Sequence, residues 1–169
     1  GMYWNIPNIQ AFHSIVPVSL MEFYPQVGVK RDVSSKPDVK YNYLRPFLSV
    51  RWLYISEEED QSPMSGYTPV DSRQGYNIYE NDYFIPMGFS YDYVIRPQQW
   101  EDLPQDWRSR ALLFGVELSD EAADRNSDLL QEAGEDWDHA IAMDEYEALV
   151  LERRSRTCDT FTIDSRGFT

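Results

Sequence analysis

Residues 75–95 constrain the fold of this chain more than any other stretch. They read Gly75-Tyr76-Asn77-Ile78-Tyr79-Glu80-Asn81-Asp82-Tyr83-Phe84-Ile85-Pro86-Met87-Gly88-Phe89-Ser90-Tyr91-Asp92-Tyr93-Val94-Ile95. Aromatic and branched side chains at this density favour strands. The polar step around Asn81-Asp82 divides the stretch into two β-type segments. In the second, Phe89, Tyr91, Tyr93 and Ile95 fall on one face and Ser90, Asp92 and Val94 on the other. That period of two predicts a half-buried strand.

Before this stretch, Leu20, Met21, Phe23, Tyr24 and Val27 recur at helical spacing. They predict a helix from Val18 to Val27, with Pro17 in its first turn, Pro25 kinking or ending it and Gly28 just beyond. Residues 30–40 read as a loop, and Asn42 to Leu48 as a short helix. The run from Ser49 to Ile55 is apolar on both faces through Val50, Trp52, Leu53, Tyr54 and Ile55. It predicts a central strand with Trp52 buried. Ser56-Glu57-Glu58-Glu59-Asp60 ends it as an exposed polar loop, the alternative being a cation site. Pro63, Gly66, Pro69 and Gly75 punctuate the turns that follow.

After Pro97 the period lengthens to 3.6. Trp107, Ala111, Phe114 and Leu118 mark one helix, with Asp102 as N-cap and Pro104 in the first turn. Ser119 caps a second, whose stripe is Ala122, Leu129, Leu130 and Ala133 and which Gly134 ends. Asp144 and Glu147 form the capping-box pattern of a third, with Tyr146, Leu149 and Val150 inward and Arg153, Arg154 and Arg156 at its end. Strands in the first half and helices in the second predict an α+β domain. In it, a small mixed or antiparallel sheet from the first half packs with helices from the second.

The chain has 169 residues, enough for one domain with a real core. Its 29 acids against 15 bases leave a net charge of −14, which repels phosphate backbones and argues against nucleic acid as a partner. Cys158 is the only cysteine, and His13 and His139 lie far apart, so no disulfide, zinc site or other metal site is expected. No phosphate-cradling glycine loop, nucleophile elbow or metal-binding histidine pair stands in the sequence, so no cofactor and no catalytic residue are assigned.

The remaining candidates are for binding. Asp92, on a tyrosine-rich strand, suits a sugar hydroxyl, the alternative being a solvated strand residue. Trp4, Tyr91 and Tyr93 suit the walls of a sugar groove if exposed and a core if buried. Arg45 and Arg51 suit a phosphate or carboxylate, the alternative being structural ion pairs. His13 lacks a partner in sequence and reads better as a hydrogen-bonded structural residue than as an acid or base.

Several segments in order resemble the bacterial membrane protein YfhO family. They are Trp4-Asn5-Ile6-Pro7, Phe12-His13-Ser14, Lys30-Arg31-Asp32-Val33-Ser34-Ser35-Lys36-Pro37, and Leu44-Arg45-Pro46-Phe47-Leu48-Ser49-Val50-Arg51-Trp52-Leu53. Tyr79-Glu80-Asn81 followed by Ile85-Pro86-Met87-Gly88-Phe89 is the most specific. Ala111-Leu112-Leu113 through Leu118-Ser119-Asp120-Glu121 and Gly167-Phe168-Thr169 complete the series.

The resemblance implies an accessory extracytoplasmic domain of a multi-spanning, glycosyltransferase-like membrane protein at the bacterial plasma membrane. Its implied partners are the protein's own membrane-spanning region, a following β domain, and a lipid-linked sugar or cell-wall glycopolymer. The family's catalytic acid typically belongs to the membrane part, so none is carried onto these residues. Gly1 reads as a tag scar, residues 2–158 as the extracytoplasmic α+β domain, and residues 159–169 as the truncated start of the β domain. A structural scaffold or protein-interaction domain with no ligand site is the competing reading. A free-standing carbohydrate enzyme is a third, which paired carboxylates across a cleft would support.

Overall fold

The computed structural model describes residues 9, 11–12, 18–30, 34–35, 37, 40–59, 62–63, 65–164 and 167–168. Their architecture is α+β, as the sequence predicts. Ala11–Phe12 (β1) pairs antiparallel with Ser34–Ser35 (β2) around the helix Val18–Gln26 (α1). Pro25 is tolerated in the last turn of α1. There Gly28, at φ +80°, closes the helix: its N–H bonds to Pro25 O at 3.2 Å, and Val29 N–H bonds to Tyr24 O at 2.9 Å. These two bonds form a Schellman stop.

Leu44–Phe47 (α2) ends the same way, with Ser49 at φ +53° in the left-handed position and Val50 N–H returning to Arg45 O at 2.9 Å. Ser49 and Val50 therefore belong to the helix stop, and the next strand starts only at Trp52. That strand, Trp52–Ser56 (β3), is joined by Tyr67–Arg73 (β4) and Tyr76–Asn81 (β5) in an antiparallel sheet of order β3-β5-β4. The β4–β5 turn carries positive φ at both Gln74 (+53°) and Gly75 (+77°), the twist a two-residue hairpin requires.

The central strand is β5, and β3 is an edge, which corrects the expectation for residues 49–55. Along β3, Leu53 and Ile55 point inward while Trp52 and Tyr54 point out, leaving Trp52 41% exposed. The run is apolar on both faces, yet only one face is covered. The Arg51 guanidinium, 4.9 Å from the Trp52 ring, shields part of the other.

The second expected strand is shorter than its alternation. Phe89 makes an isolated bridge to Thr157, and regular pairing begins at Tyr93–Ile95 (β6). Pro97–Asp102 (α3) and Gln105–Phe114 (α4) follow, so Asp102 ends a helix instead of capping one, and Pro104 takes the N-cap position of α4. Gly115 lets the chain pass close to β6, where a Cβ would sit 2.9 Å from Tyr93 O. Val116–Glu117 (β7) then pairs parallel with β6.

Ser119 accepts from Ala122 N–H and caps Asp120–Arg125 (α5). This helix stops far short of Gly134. Asn126 turns its side chain back to Ala122 O at 2.8 Å, the local competition typical of Asn in helices. Leu129 is left 74% exposed, and Gln131–Glu132 (β8) joins the other side of β6 in parallel. The helical half thus contains a small parallel sheet of order β7-β6-β8, with Val94 and Ile95 buried in its central strand.

A 3-10 helix at Trp137–Ile141 leads into Tyr146–Ser155 (α6), which buries Tyr146, Leu149 and Val150. Glu145 holds the N-cap position of α6 with no side-chain cap, so the expected Asp144 capping box does not form. The core lies where α4, α6, the 3-10 helix and β6 converge, around Ile95, Ala111, Leu113, Ile141 and Leu149, with Leu44 and Val27 from the first half. Ile163–Asp164 (β9) and Gly167–Phe168 (β10) pair antiparallel. Among the described residues, no helix is long and apolar enough to cross a membrane.

Candidate functional site

Five of the seven residues singled out in sequence are described, and they do not converge on one site. Trp4 and His13 lie outside the described residues. The Asp92 carboxylate pairs with Arg156 at 2.6 Å. The Tyr91 ring turns into the core, where its hydroxyl donates to Leu112 O at 2.6 Å. Burial raises the proton affinity of that phenol, partly opposed by the Arg153 guanidinium above its ring. Arg45 is buried in α2, and Arg51 pairs with Glu80 at 2.9 Å. Tyr93 alone opens onto a concave surface.

That surface is a groove of about 530 Å³ between the 3-10 helix, the following 142–145 segment and one face of α6. Each wall follows from local structure. On α6 and its N-cap, Glu145, Ala148, Leu149 and Glu152 recur at the i, i+3, i+4, i+7 spacing that aligns one helical face. Leu149 is buried, while Ala148 is too short to fill the space above it. Opposite, Ala140 and Ala142 are equally short.

Two rings line the inner wall. Tyr93 stacks on Phe114 with centroids 4.7 Å apart and planes 17° from parallel. Trp137 supports Phe114 from behind at 5.5 Å. β6 delivers Tyr93, the last residue of α4 delivers Phe114, and the close approach at Gly115 holds the two elements together. His139, Asp144, Glu145 and Glu152 supply the polar rim, all of them exposed.

An apolar inner wall with a few polar groups around it is the usual make-up of a small-ligand site. Three carboxylates accept hydrogen bonds from hydroxyl or ammonium donors, and they disfavour anions. Tyr93 and Phe114 contribute apolar ring atoms to the inner wall. The arrangement therefore suits a neutral polyhydroxylated ring better than a phosphate. Among the described residues, no group of histidine, cysteine and carboxylate side chains is arranged to hold a metal ion.

Most of this groove is silent in sequence. Phe114 and Leu149 read as core positions. Ala140, Ala142 and Ala148 matter because they are small, and nothing in a periodicity marks an alanine as a gap. A second and smaller recess, about 320 Å³, lies between β5 and α6 beside Glu80, Phe84 and Arg154. There Arg154 already donates to Phe84 O at 3.0 Å and Asp82 O at 2.8 Å. Comparison of the chain with family models, with curated proteins and with solved structures finds no match in any of the three.

Proposed function

We propose that this chain is an accessory extracytoplasmic domain of a glycosyltransferase-like multi-spanning membrane protein, and that its groove receives a sugar ring. The ring would belong to a lipid-linked sugar or a cell-wall glycopolymer. The observation that carries the reading is the Tyr93–Phe114 stack inside a groove rimmed by Asp144, Glu145 and Glu152. The ordered resemblance to the YfhO family supports the cellular setting at the extracytoplasmic face. In that setting the membrane-spanning region supplies the chemistry.

Binding of soluble cell-wall oligosaccharides to the purified chain tests the sugar reading, with Ala148→Trp as the blocking variant. Ala148 is exposed on α6, so a large side chain there fills the groove without entering the core. Saturable binding that the variant loses supports the reading. Equal binding by both proteins places the ligand elsewhere.

The scaffold reading has one observation in its favour. Trp52, Tyr54 and Tyr76 are exposed on one face of the antiparallel sheet, where Tyr54 pairs with Ile78 and Trp52 with Glu80. An aromatic surface of this kind is common at protein interfaces. Loss of a partner on Tyr54→Ala, with sugar binding absent, would favour it.

A further inference from the structure

Two arginines of this acidic chain are buried with no carboxylate among the described residues at ion-pair distance. Arg45, on α2, is 3% exposed and Arg110, on α4, is 4% exposed. Seven other described arginines have partners. Arg51, Arg73, Arg96 and Arg156 pair with carboxylates, and Arg108, Arg153 and Arg154 donate to backbone carbonyls. Among the described residues, neither Arg45 nor Arg110 has an ion pair, and the polar contact of Arg45 is with the Tyr67 hydroxyl. Arg110 has the faces of Trp107 at 4.5 Å and Tyr43 at 5.9 Å, and the Asp106 carboxylate, one turn back on α4, favours its charge without pairing with it. Arg45 Nε and Arg110 Nη1 are both sealed from solvent and unbonded.

Two phenolic hydroxyls near them are also orphaned, those of Tyr67 and Tyr146. Contacts join the four residues into one cluster. Arg110 lies over Tyr43, which packs edge-on against Tyr146 with centroids 4.7 Å apart. Tyr146 packs against Tyr83 at 5.2 Å. Tyr83 presses on Gly66, where a Cβ would sit 2.4 Å from the ring, and Tyr67 is the next residue. The Tyr67 hydroxyl neighbours Arg45, which partly opposes the rise in proton affinity that burial gives the phenol.

We propose that Arg45, Tyr67, Arg110 and Tyr146 form a site for one small oxyanion of the phosphate class. All four orphaned atoms carry a hydrogen to donate, and what they lack is an acceptor. A buried cation needs a counter-charge and filled hydrogen bonds, and an oxyanion supplies both. Guanidinium forks suit tetrahedral oxygens in pairs. In a chain with 29 acids, no carboxylate among the described residues lies within ion-pair distance of either guanidinium. Tyr67 is only half-buried at the start of β4, whose remaining residues are exposed, so entry runs along its side. The site is separate from the sugar groove, whose acidic rim disfavours the same ligand.

Titration of the purified chain with inorganic phosphate at neutral pH and constant ionic strength, followed by phosphorus NMR and calorimetry, tests the site. Glycerol phosphate in a second arm distinguishes an ester from the free ion. Saturable binding by the native chain is expected. Arg45→Met and Arg110→Met should each weaken it about tenfold or more, as expected for loss of a charge-assisted pair. Arg125→Gln, an exposed α5 position, should leave it unchanged.

Should the arginine variants fail to fold, Tyr67→Phe and Tyr146→Phe keep the rings and remove only the hydroxyls. Each should weaken phosphate binding by about fivefold while leaving the ligand-free melting temperature unchanged or higher, because an orphaned buried hydroxyl is lost. Absence of saturable binding up to about 10 mM phosphate, where linkage would register even a weak site, overturns the proposal. So does binding that Tyr67→Phe and Tyr146→Phe leave intact.

Discussion

The guanidinium of Arg153, on α6, lies 4.7 Å over the ring of Tyr91, and together these two side chains cap the end of α4. Tyr91 donates to Leu112 O at 2.6 Å, Arg153 Nε to Leu113 O at 2.8 Å and Arg153 Nη2 to Phe114 O at 3.1 Å. The last carbonyls of a helix lack intrahelical partners, and a cation there also complements the helix dipole. Arg153 Nη1 binds Ser90 O as well, so one residue ties α6, α4 and the segment before β6 together. Phe114, whose carbonyl is held this way, lines the groove between the 3-10 helix and α6.

Removing Arg153 should therefore be among the most damaging single changes. Arg153→Ala orphans three carbonyls in a site where the arginine is 1% exposed, and should cost about 3–5 kcal/mol of unfolding free energy. Arg153→Lys keeps the charge but not the planar fork, and should recover less than half of the loss. Urea denaturation of both variants gives the comparison.

The tryptophans should separate into two classes. Trp52→Ala should cost less than about 1 kcal/mol, as for exposed positions. Trp137→Ala, in the core behind Phe114, should cost about 3–5 kcal/mol. Trp52 is also where reading the sequence misled. The residues 50–55 look like a strand covered on both sides, yet β3 is an edge, and side chains alone do not say whether a sheet has one neighbour layer or two. The α+β class, the buried stripe of α6 and the inward face of Phe89, Tyr93 and Ile95 were legible because their periods are long or strict. The parallel strands β7 and β8 are two residues each, too short to carry a period. The groove was legible only at Tyr93, because its walls come from residues 93, 114, 139–145 and 148–152 and meet only after folding.

Alkaline pH should weaken the fold. Burial raises the proton affinities of Tyr91 and Tyr146 above the ordinary phenol value of 10.0. In the unfolded chain these phenols ionise near pH 10, while in the folded chain they stay protonated. Above pH 10 the unfolded state thus binds fewer protons, and stability falls as pH rises toward the folded values. Each tyrosine should contribute a slope of up to about 1.4 kcal/mol per pH unit. Denaturant melts at pH 9, 10 and 11 check this, and Tyr146→Phe should flatten the decline.

Two glycines should respond differently to alanine. Gly75 (φ +77°) sits in the open β4–β5 turn with nothing within 4 Å of a Cβ, so Gly75→Ala should cost only the left-handed penalty of about 1–2 kcal/mol. Gly88 (φ +79°) would place a Cβ 2.5 Å from Cys158 Sγ and 2.9 Å from the Phe161 ring. Gly88→Ala should cost more than Gly75→Ala by at least about 1 kcal/mol, through overpacking added to the same strain. Thermal melts of the two variants give the ranking.

The most direct measurement of the central claim is an NMR map of sugar contacts on the chain labelled at its alanine methyls. Ala140 and Ala142 stand on one wall of the groove and Ala148 on the other, with Tyr93 and Phe114 between them. On titration with cell-wall oligosaccharide, these three methyls should shift together and saturate at one concentration, while Ala111 in the core and Ala123 in α5 stay still. Shifts confined to the Trp52–Tyr54–Tyr76 face, or no saturable shift at any of the three methyls, would contradict a sugar-receiving groove.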